Sequence, residues 1–187
     1  MARVFVITGP SGVGKGTLIR LLRERVPSLA LSVSATTRAP RAGEQDGIDY
    51  HFLSDVEFAR RVEAGEFVEW AEYSGRRYGT LRSELERHLA EGRPVVLEIE
   101  VQGARQVRRA MPEAVQIFIE PPDDEALKDR LVGRGTDDPD AIARRLAVAE
   151  SELAAADEFQ YRVVNDRLDE AVARLQEIVS GALESSL

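Results

Sequence analysis

The chain has 187 residues, no cysteine and a formal net charge of −8. This length suits one core of ordinary size, and the absence of cysteine excludes disulfides, thiolate metal sites and cysteine nucleophiles. The acidic balance argues against a general nucleic-acid-binding protein, and no stretch approaches the roughly 18 apolar residues that span a bilayer. We therefore expect a cytoplasmic protein with neither nucleic acid nor membrane as its partner.

Strands and helices alternate along most of the chain. Apolar residues at helical spacing predict helices after the first strand, between the later strands and at the end of the chain. Strands separated by helices of this length are typical of crossover connections, so the sequence predicts an α/β fold with a parallel core sheet and helices on both faces. The predicted strands are residues 3–8, 29–34, 94–100, 114–120 and 161–165.

Two segments interrupt this alternation. The first is polar and aromatic, and its central helix is predicted to begin at a capping box formed by Ser54 and Glu57. The second combines glycines with a helix start. We predict a single domain with a core of residues about 1–34, 80–132 and 150–187, an inserted lobe of about 35–79 and a short lid of about 133–149.

A glycine-rich run, "GPSGVGKGT", follows the first strand. Gly9, Gly14 and Lys15 have the spacing of the phosphate-binding loop G-x-x-x-x-G-K-[ST], but Gly16 occupies the hydroxyl position and Thr17 comes one residue late. Backbone N–H groups of such a loop bind phosphate oxygens beside a helix N-terminus. The alternative to a phosphate site is a glycine turn that only connects a strand to a helix. The predicted nucleotide-binding residues are Gly9, Pro10, Ser11, Gly12, Val13, Gly14, Lys15, Gly16 and Thr17.

Five blocks along the chain together closely resemble guanylate kinase, in the order of that family: "GPSGVGKGTL", "SVSATTRAPRAGEQDGIDYHF", "GEFVEWAEYSGRRYGT", "LEIEVQGARQVR" and "RLVGRGTDDPDAIARRL". The resemblance implies a P-loop nucleoside monophosphate kinase that reversibly transfers the γ-phosphoryl group of ATP to GMP or dGMP, with Mg²⁺ accompanying ATP. It implies catalytic roles for Lys15, Arg38, Arg134 and Arg145, and an ATP contact for Asn165.

The resemblance also implies a GMP site in the inserted lobe. Guanidinium forks match phosphate oxygens two at a time, and tyrosine hydroxyls add donors to the same oxygens. Guanine presents a ring N–H and an amino group side by side, and one carboxylate, Glu69, accepts both. The GMP-binding residues implied are Ser34, Arg38, Arg41, Tyr50, Glu69, Tyr78, Thr80 and Glu100.

The sequence departs from the family pattern where a metal is expected. Gly16 has no hydroxyl to coordinate Mg²⁺, and Glu98 and Glu100 stand where the family usually has aspartates. We therefore expect no direct metal ligand from the chain. Mg²⁺ would be held by the ATP phosphates and water, with Glu98 and Glu100 as candidates for its outer shell.

Two other functions stay open at the level of the sequence. One is a different P-loop nucleoside monophosphate kinase, against which the carboxylate of Glu69 argues because adenine lacks the paired donors of guanine. The other is a non-catalytic guanylate-kinase-like binding module, against which the complete phosphate loop with Lys15 argues.

Overall fold

The computed structural model describes residues 3–132 and 139–185, without the side chains of residues 130–132, 139–142, 144 and 145. Within these ranges no helix is long and apolar enough to cross a membrane. The strands are β1 (Val4–Thr8), β2 (Ala30–Leu31), β3 (Ala35–Thr36), β4 (His51–Phe52), β5 (Phe67–Tyr73), β6 (Arg76–Leu81), β7 (Val95–Glu98), β8 (Val115–Glu120) and β9 (Tyr161–Val164). The helices are α1 (Lys15–Arg25), α2 (Asp55–Glu63), α3 (Arg82–Ala90), α4 (Val101–Ala110), α5 (Asp124–Val132), α6 (Pro139–Leu153) and α7 (Leu168–Glu184).

A five-stranded parallel sheet in the order β2-β7-β1-β8-β9 forms the core. Successive side chains of β1 point to opposite faces, so Phe5 and Ile7 join a cluster with residues of α1 and α7. Val4 and Val6 join a second cluster with residues of α4. The prediction of a parallel sheet covered by helices on both faces is confirmed.

A second, four-stranded sheet in the order β4-β3-β6-β5 comes from the polar, aromatic segment. It has its own small core, in which the rings of Phe58 and Phe67 stack with centroids 4.5 Å apart beside Ala35 and Leu81. The predicted helix start is found, because the Ser54 hydroxyl accepts a hydrogen bond from the N–H of Glu57 at the beginning of α2.

The predicted capping box at this helix is only half formed. The Glu57 carboxylate does not return to the Ser54 N–H but accepts hydrogen bonds from Arg60 and Arg61, one turn along α2. Charge-assisted bonds to arginines at this spacing are stronger than a bond to a neutral backbone N–H. They also hold the pKa of Glu57 down at about 2.

Two features of the fold differ from the strands and helices predicted from the sequence. The strand predicted at 29–34 ends its regular pairing at Leu31, because the chain then turns toward the second sheet, where β3 begins at Ala35. Helix α3 has no counterpart in the sequence prediction. Its inward face carries Leu85 together with two polar residues, Glu84 and His88, which interrupt the apolar period.

Candidate functional site

A cleft of about 530 Å³ lies at the carboxyl end of β1 and β7 and extends to the second sheet. Ligands of open parallel sheets bind at this end of the strands. The cleft brings two groups of predicted residues, the phosphate loop and the GMP site, to the walls of one cavity. Those that line it are Ser11, Gly12, Gly14, Lys15, Gly16, Thr17, Ser34, Tyr50, Glu69, Tyr78, Glu98 and Glu100.

The phosphate loop joins β1 directly to α1. Gly12 and Gly14 have φ of 82° and 99°, a left-handed conformation that favours glycine. The Lys15 ammonium donates to the carbonyl oxygens of Gly9 and Pro10, so the side chain folds back over its own loop. The sequence context required for a phosphate site, strand then loop then helix, is present in the structure.

Asn165 lies beneath this loop, after β9. Its side chain is buried, and its amide nitrogen donates to the carbonyl oxygen of Val13 at 2.8 Å. The same nitrogen is so close to Gly14 that a Cβ there would lie 2.7 Å from it. The ATP contact expected of Asn165 stays a prediction; the hydrogen bond seen here supports the backbone of the loop.

Glu69 is the buried carboxylate of the cleft, with 4% of its surface exposed. The pairing of β5 with β6 shifts its register between Phe67 and Glu69. On β6, the Thr80 hydroxyl donates a hydrogen bond to Glu69 Oε1 at 2.7 Å. Burial raises the pKa of Glu69 to about 7; the hydrogen bonds from Thr80 oppose this rise and the charge of Glu100 adds to it. Thr80 does not line the cleft itself but orients the carboxylate.

Gly103 is a site residue that sequence reasoning missed. It lies inside α4, where a Cβ would come within 3.1 Å of the Glu69 carboxyl carbon and closer still to Oε2. Only a residue without a side chain lets Glu69 sit against this helix. A glycine in the middle of a helix costs stability relative to alanine, and that cost was the available signal in "EVQGARQ".

Glu44 is a second residue that was missed, and it holds Arg38. Arg38 donates to Glu44 Oε1 at 2.8 Å and lies 5.2 Å from the centre of the Tyr50 ring, while the backbone N–H of Arg41 donates to the other oxygen of Glu44 at 2.7 Å. These hydrogen bonds, from Arg38 first, lower the pKa of Glu44. Neither arginine is among the residues that line the cleft, and Arg41 is exposed.

Glu98 and Glu100 are only two residues apart in the sequence, but their side chains have different surroundings. A Cβ at Gly16 would lie 3.9 Å from both carboxylate oxygens of Glu98, so this side chain reaches the phosphate loop. Partial removal from water raises the pKa of Glu98; Lys15 opposes this rise and Glu100 adds to it. Glu100 precedes α4, and its charge raises the pKa of Glu69, so it lies at the Glu69 end of the cleft.

The predicted lid arginines cannot be placed in the cleft. Arg134 lies outside the described residues. Arg145 falls within α6, but its side chain is also outside the described part of the chain. Helix α6 begins at Pro139, which agrees with the predicted helix start in the lid.

The chain matches the family model described as "Guanylate kinase" over residues 1–182. Among curated proteins, the guanylate kinase of Synechocystis sp. is 55% identical over 177 residues, which cover 95% of this chain and 93% of that protein. The guanylate kinase of Mycolicibacterium paratuberculosis is 52% identical over 181 residues, covering 96% and 81%.

Two solved structures are similar to this chain. A guanylate kinase from Anaplasma phagocytophilum superposes with a TM-score of 0.77 at 33% identity, covering 96% of this chain and 85% of that one. A shikimate kinase from Bacteroides thetaiotaomicron superposes with a TM-score of 0.50 at 18% identity, covering 95% and 98%, and shares the fold alone.

Proposed function

The chain belongs to the guanylate kinase family and is an ATP-dependent kinase that phosphorylates GMP, and on that premise we propose how its residues divide this reaction. The phosphate loop binds ATP, and the second sheet, as part of a lobe of about residues 35–79, binds GMP. One observation carries this proposal: the buried carboxylate of Glu69 and the phosphate loop line the same cleft.

Glu69 selects guanine in this proposal. Its two oxygens accept the ring N–H and the amino group of guanine, while Thr80 holds Oε1 and Gly103 leaves room for Oε2. Adenine presents a ring acceptor where guanine has the N–H. A buried carboxylate facing that acceptor loses its hydrogen bonds, and such a loss discriminates more strongly than a difference in shape.

Ser34, Tyr50, Tyr78 and the two arginines complete the GMP site. Tyr50 and Tyr78 both line the cleft, with their rings edge to face and centroids 6.2 Å apart, and in this proposal their hydroxyls donate to the GMP phosphate. Arg38, already oriented by Glu44, binds the same phosphate through its planar fork. Arg41 follows once its exposed side chain turns inward.

Phosphoryl transfer needs charge stabilisation more than proton transfer. An oxygen of the GMP phosphate is the nucleophile and carries negative charge at neutral pH, so the site has no need of a strong general base. Lys15 stabilises the charge that develops on the transferred group, assisted in our proposal by Arg134 and Arg145 of the lid. His51 and His88 lie near Glu84 of α3 and take no part.

The residues around Gly16 fit a hydrated Mg²⁺. A carboxylate oxygen is the donor that Mg²⁺ prefers, and Mg²⁺ usually retains several waters beside nucleotide phosphates. Glu98 faces the phosphate loop, with no side chain of Gly16 between them, and would supply such a donor to a water of the metal. When bound, Mg²⁺ neutralises charge on the ATP phosphates; the contribution of the chain is to orient its waters through Glu98.

The proposal is tested by ADP formation from Mg-ATP with GMP, dGMP, AMP, dTMP, UMP and water as separate acceptors. We expect GMP and dGMP to exceed the others, and Glu69→Gln to lose most of this selectivity. Glu72→Gln, on an exposed position of the same strand, is the control and should retain it. Efficient transfer to AMP would overturn the role of Glu69. Binding of GMP without transfer to any acceptor would favour a binding module.

A further inference from the structure

Gln106 of α4 makes two hydrogen bonds to the backbone of the second sheet that the proposed reaction does not use. Its side-chain oxygen accepts from the Trp70 N–H at 3.2 Å, and its side-chain nitrogen donates to the Trp70 carbonyl oxygen at 2.7 Å. Gln106 is half-buried, and holding a long side chain in one conformation costs rotamer entropy. Two bonds from one amide to one residue therefore indicate a specific geometry.

The amide of Gln106 takes the place that a neighbouring strand would have. β5 is the last strand in the order β4-β3-β6-β5, and Trp70 lies opposite Gly79 of β6. The outer side of an edge strand presents N–H and C=O groups that have no strand partner. A glutamine amide has one donating and one accepting side, so Gln106 satisfies both outward groups of Trp70 at once.

The peptide that Gln106 holds is the one that follows Glu69. The N–H of Trp70 belongs to the bond between Glu69 and Trp70, so its hydrogen bond fixes the backbone from which the guanine carboxylate projects. The pairing of β5 with β6 shifts its register between Phe67 and Glu69, immediately before this peptide. At such an irregularity a strand bends and its side chains change direction, so a contact from outside the sheet helps to set the direction of Glu69.

Helix α4 contacts Glu69 a second time, one turn earlier. Gly103 and Gln106 are three residues apart, a spacing that places them on the same face of a helix. At Gly103 the absence of a Cβ leaves space for the carboxyl of Glu69. Ala104, the next residue, is buried in the same apolar cluster as Val68 of β5. One helix of the core therefore contacts both the side chain of Glu69 and the backbone that follows it.

We propose that Gln106 is a positioning residue for guanine recognition, whose amide holds the peptide between Glu69 and Trp70 against α4 and so fixes the direction of the Glu69 carboxylate. This role rests on the proposed binding of guanine by Glu69. A neutral amide suits the task, because it satisfies an N–H and a C=O together and adds no charge beside a buried carboxylate.

Gln106→Met tests this role, because methionine has a similar length and helix propensity but no amide. We expect kcat/KM for GMP to fall by about tenfold through misplacement of Glu69. KM for ATP should change by less than about twofold, since both hydrogen bonds of Gln106 go to β5. Arg109→Leu is the matched control and should leave the kinetics unchanged, because Arg109 is exposed and donates to the Arg105 carbonyl of its own helix.

Gln106→Asn separates the paired hydrogen bonds from a general need for a polar side chain. Asparagine has the same amide on a side chain that is one methylene shorter, so it cannot reach both groups of Trp70. We expect a loss similar to that of Gln106→Met, and melting temperatures lowered by less than about 10 °C in both variants. An asparagine variant as active as wild type overturns the proposal.

A double-mutant cycle with Glu69→Gln provides a readout that a purely structural role would not give. If Gln106 acts through the Glu69 carboxylate, adding Gln106→Met to Glu69→Gln should lower kcat/KM for GMP by less than about twofold. A tenfold loss in both backgrounds, or no loss in either, overturns the proposal. Dissociation constants for GMP from calorimetry give the same cycle without turnover.

The proposed function fails by different results. Wild-type protein that phosphorylates no GMP refutes the reaction, while the calorimetric cycle still tests Gln106. Unchanged GMP affinity in Glu69→Gln refutes the guanine contact of Glu69 and the role of Gln106 with it. Loss of affinity in Glu69→Gln but not in Gln106→Met refutes the role of Gln106 alone.

Discussion

Gly103→Ala tests the packing that holds the guanine carboxylate. Alanine is favoured over glycine inside a helix by roughly 0.5–1 kcal/mol, so the substitution should not weaken α4 itself. The added Cβ, however, would lie 3.1 Å from Glu69 Cδ and in direct collision with Oε2. Restoring an ordinary van der Waals separation moves the carboxylate by roughly 1 Å. Misplacement by that distance costs about 100-fold in rate, so we expect kcat/KM for GMP to fall by about two orders of magnitude.

The assay is steady-state ADP formation with GMP and with AMP as acceptors, together with thermal unfolding. The loss should be specific to GMP, because AMP makes no use of the Glu69 carboxylate. Gly181→Ala on α7 is the control: a Cβ at position 181 would have no atom within 4 Å beyond its own helix backbone, so kinetics should be unchanged and stability slightly higher. If Gly103→Ala phosphorylated GMP as well as wild type does, Glu69 would not be held against α4 in the working enzyme.

Three further results are expected. First, guanosine should bind about tenfold more tightly at about pH 8 than at about pH 6 in isothermal calorimetry. The pKa of Glu69 is about 7, so its carboxylate accepts hydrogen bonds from guanine only above that pH. Guanosine is the ligand because it has no titrating phosphate, and Glu69→Gln should show no such dependence on pH. Second, Gly16→Ser should lower the Mg²⁺ concentration for half-maximal activity by roughly tenfold, since the hydroxyl adds a ligand; an unchanged titration contradicts the metal arrangement. Third, Asn165→Leu should lower the free energy of unfolding by roughly 1–3 kcal/mol in urea and raise KM for ATP but not for GMP, because the carbonyl of Val13 loses its donor.

The core sheet was predictable because its strands are buried on both faces and read as continuous apolar runs. Residues 4–8 and 115–120 show this plainly, and glycines or turns bound each run. Helix α3 was not predictable for a physical reason. Glu84 and His88 pair with each other across one helical turn, 3.1 Å apart, so polar residues occupy buried positions and the apolar period disappears.

Residues that meet a ligand with their own groups could be predicted from the sequence. Residues that only hold another side chain in place could not. The glycines and Lys15 of the phosphate loop match a fixed spacing, because backbone N–H groups and one ammonium are sufficient for the task. Gly103 and Glu44 act on Glu69 and Arg38, respectively, from positions that only folding brings close to them. A single sequence contains no pattern that links such pairs.

The two departures from the family pattern, Gly16 and Glu98, are joined in space. From the sequence they are separate: one position lacks a hydroxyl, and another carries an additional methylene. In the structure a Cβ at position 16 would lie equally close, at 3.9 Å, to both oxygens of Glu98, so the longer carboxylate extends toward the space that the missing side chain leaves. A carboxylate there adds a negative charge beside Lys15, which a hydroxyl would not do. In the arrangement proposed for Mg²⁺, the oxygen donor beside the phosphate loop is therefore supplied by β7 in place of α1.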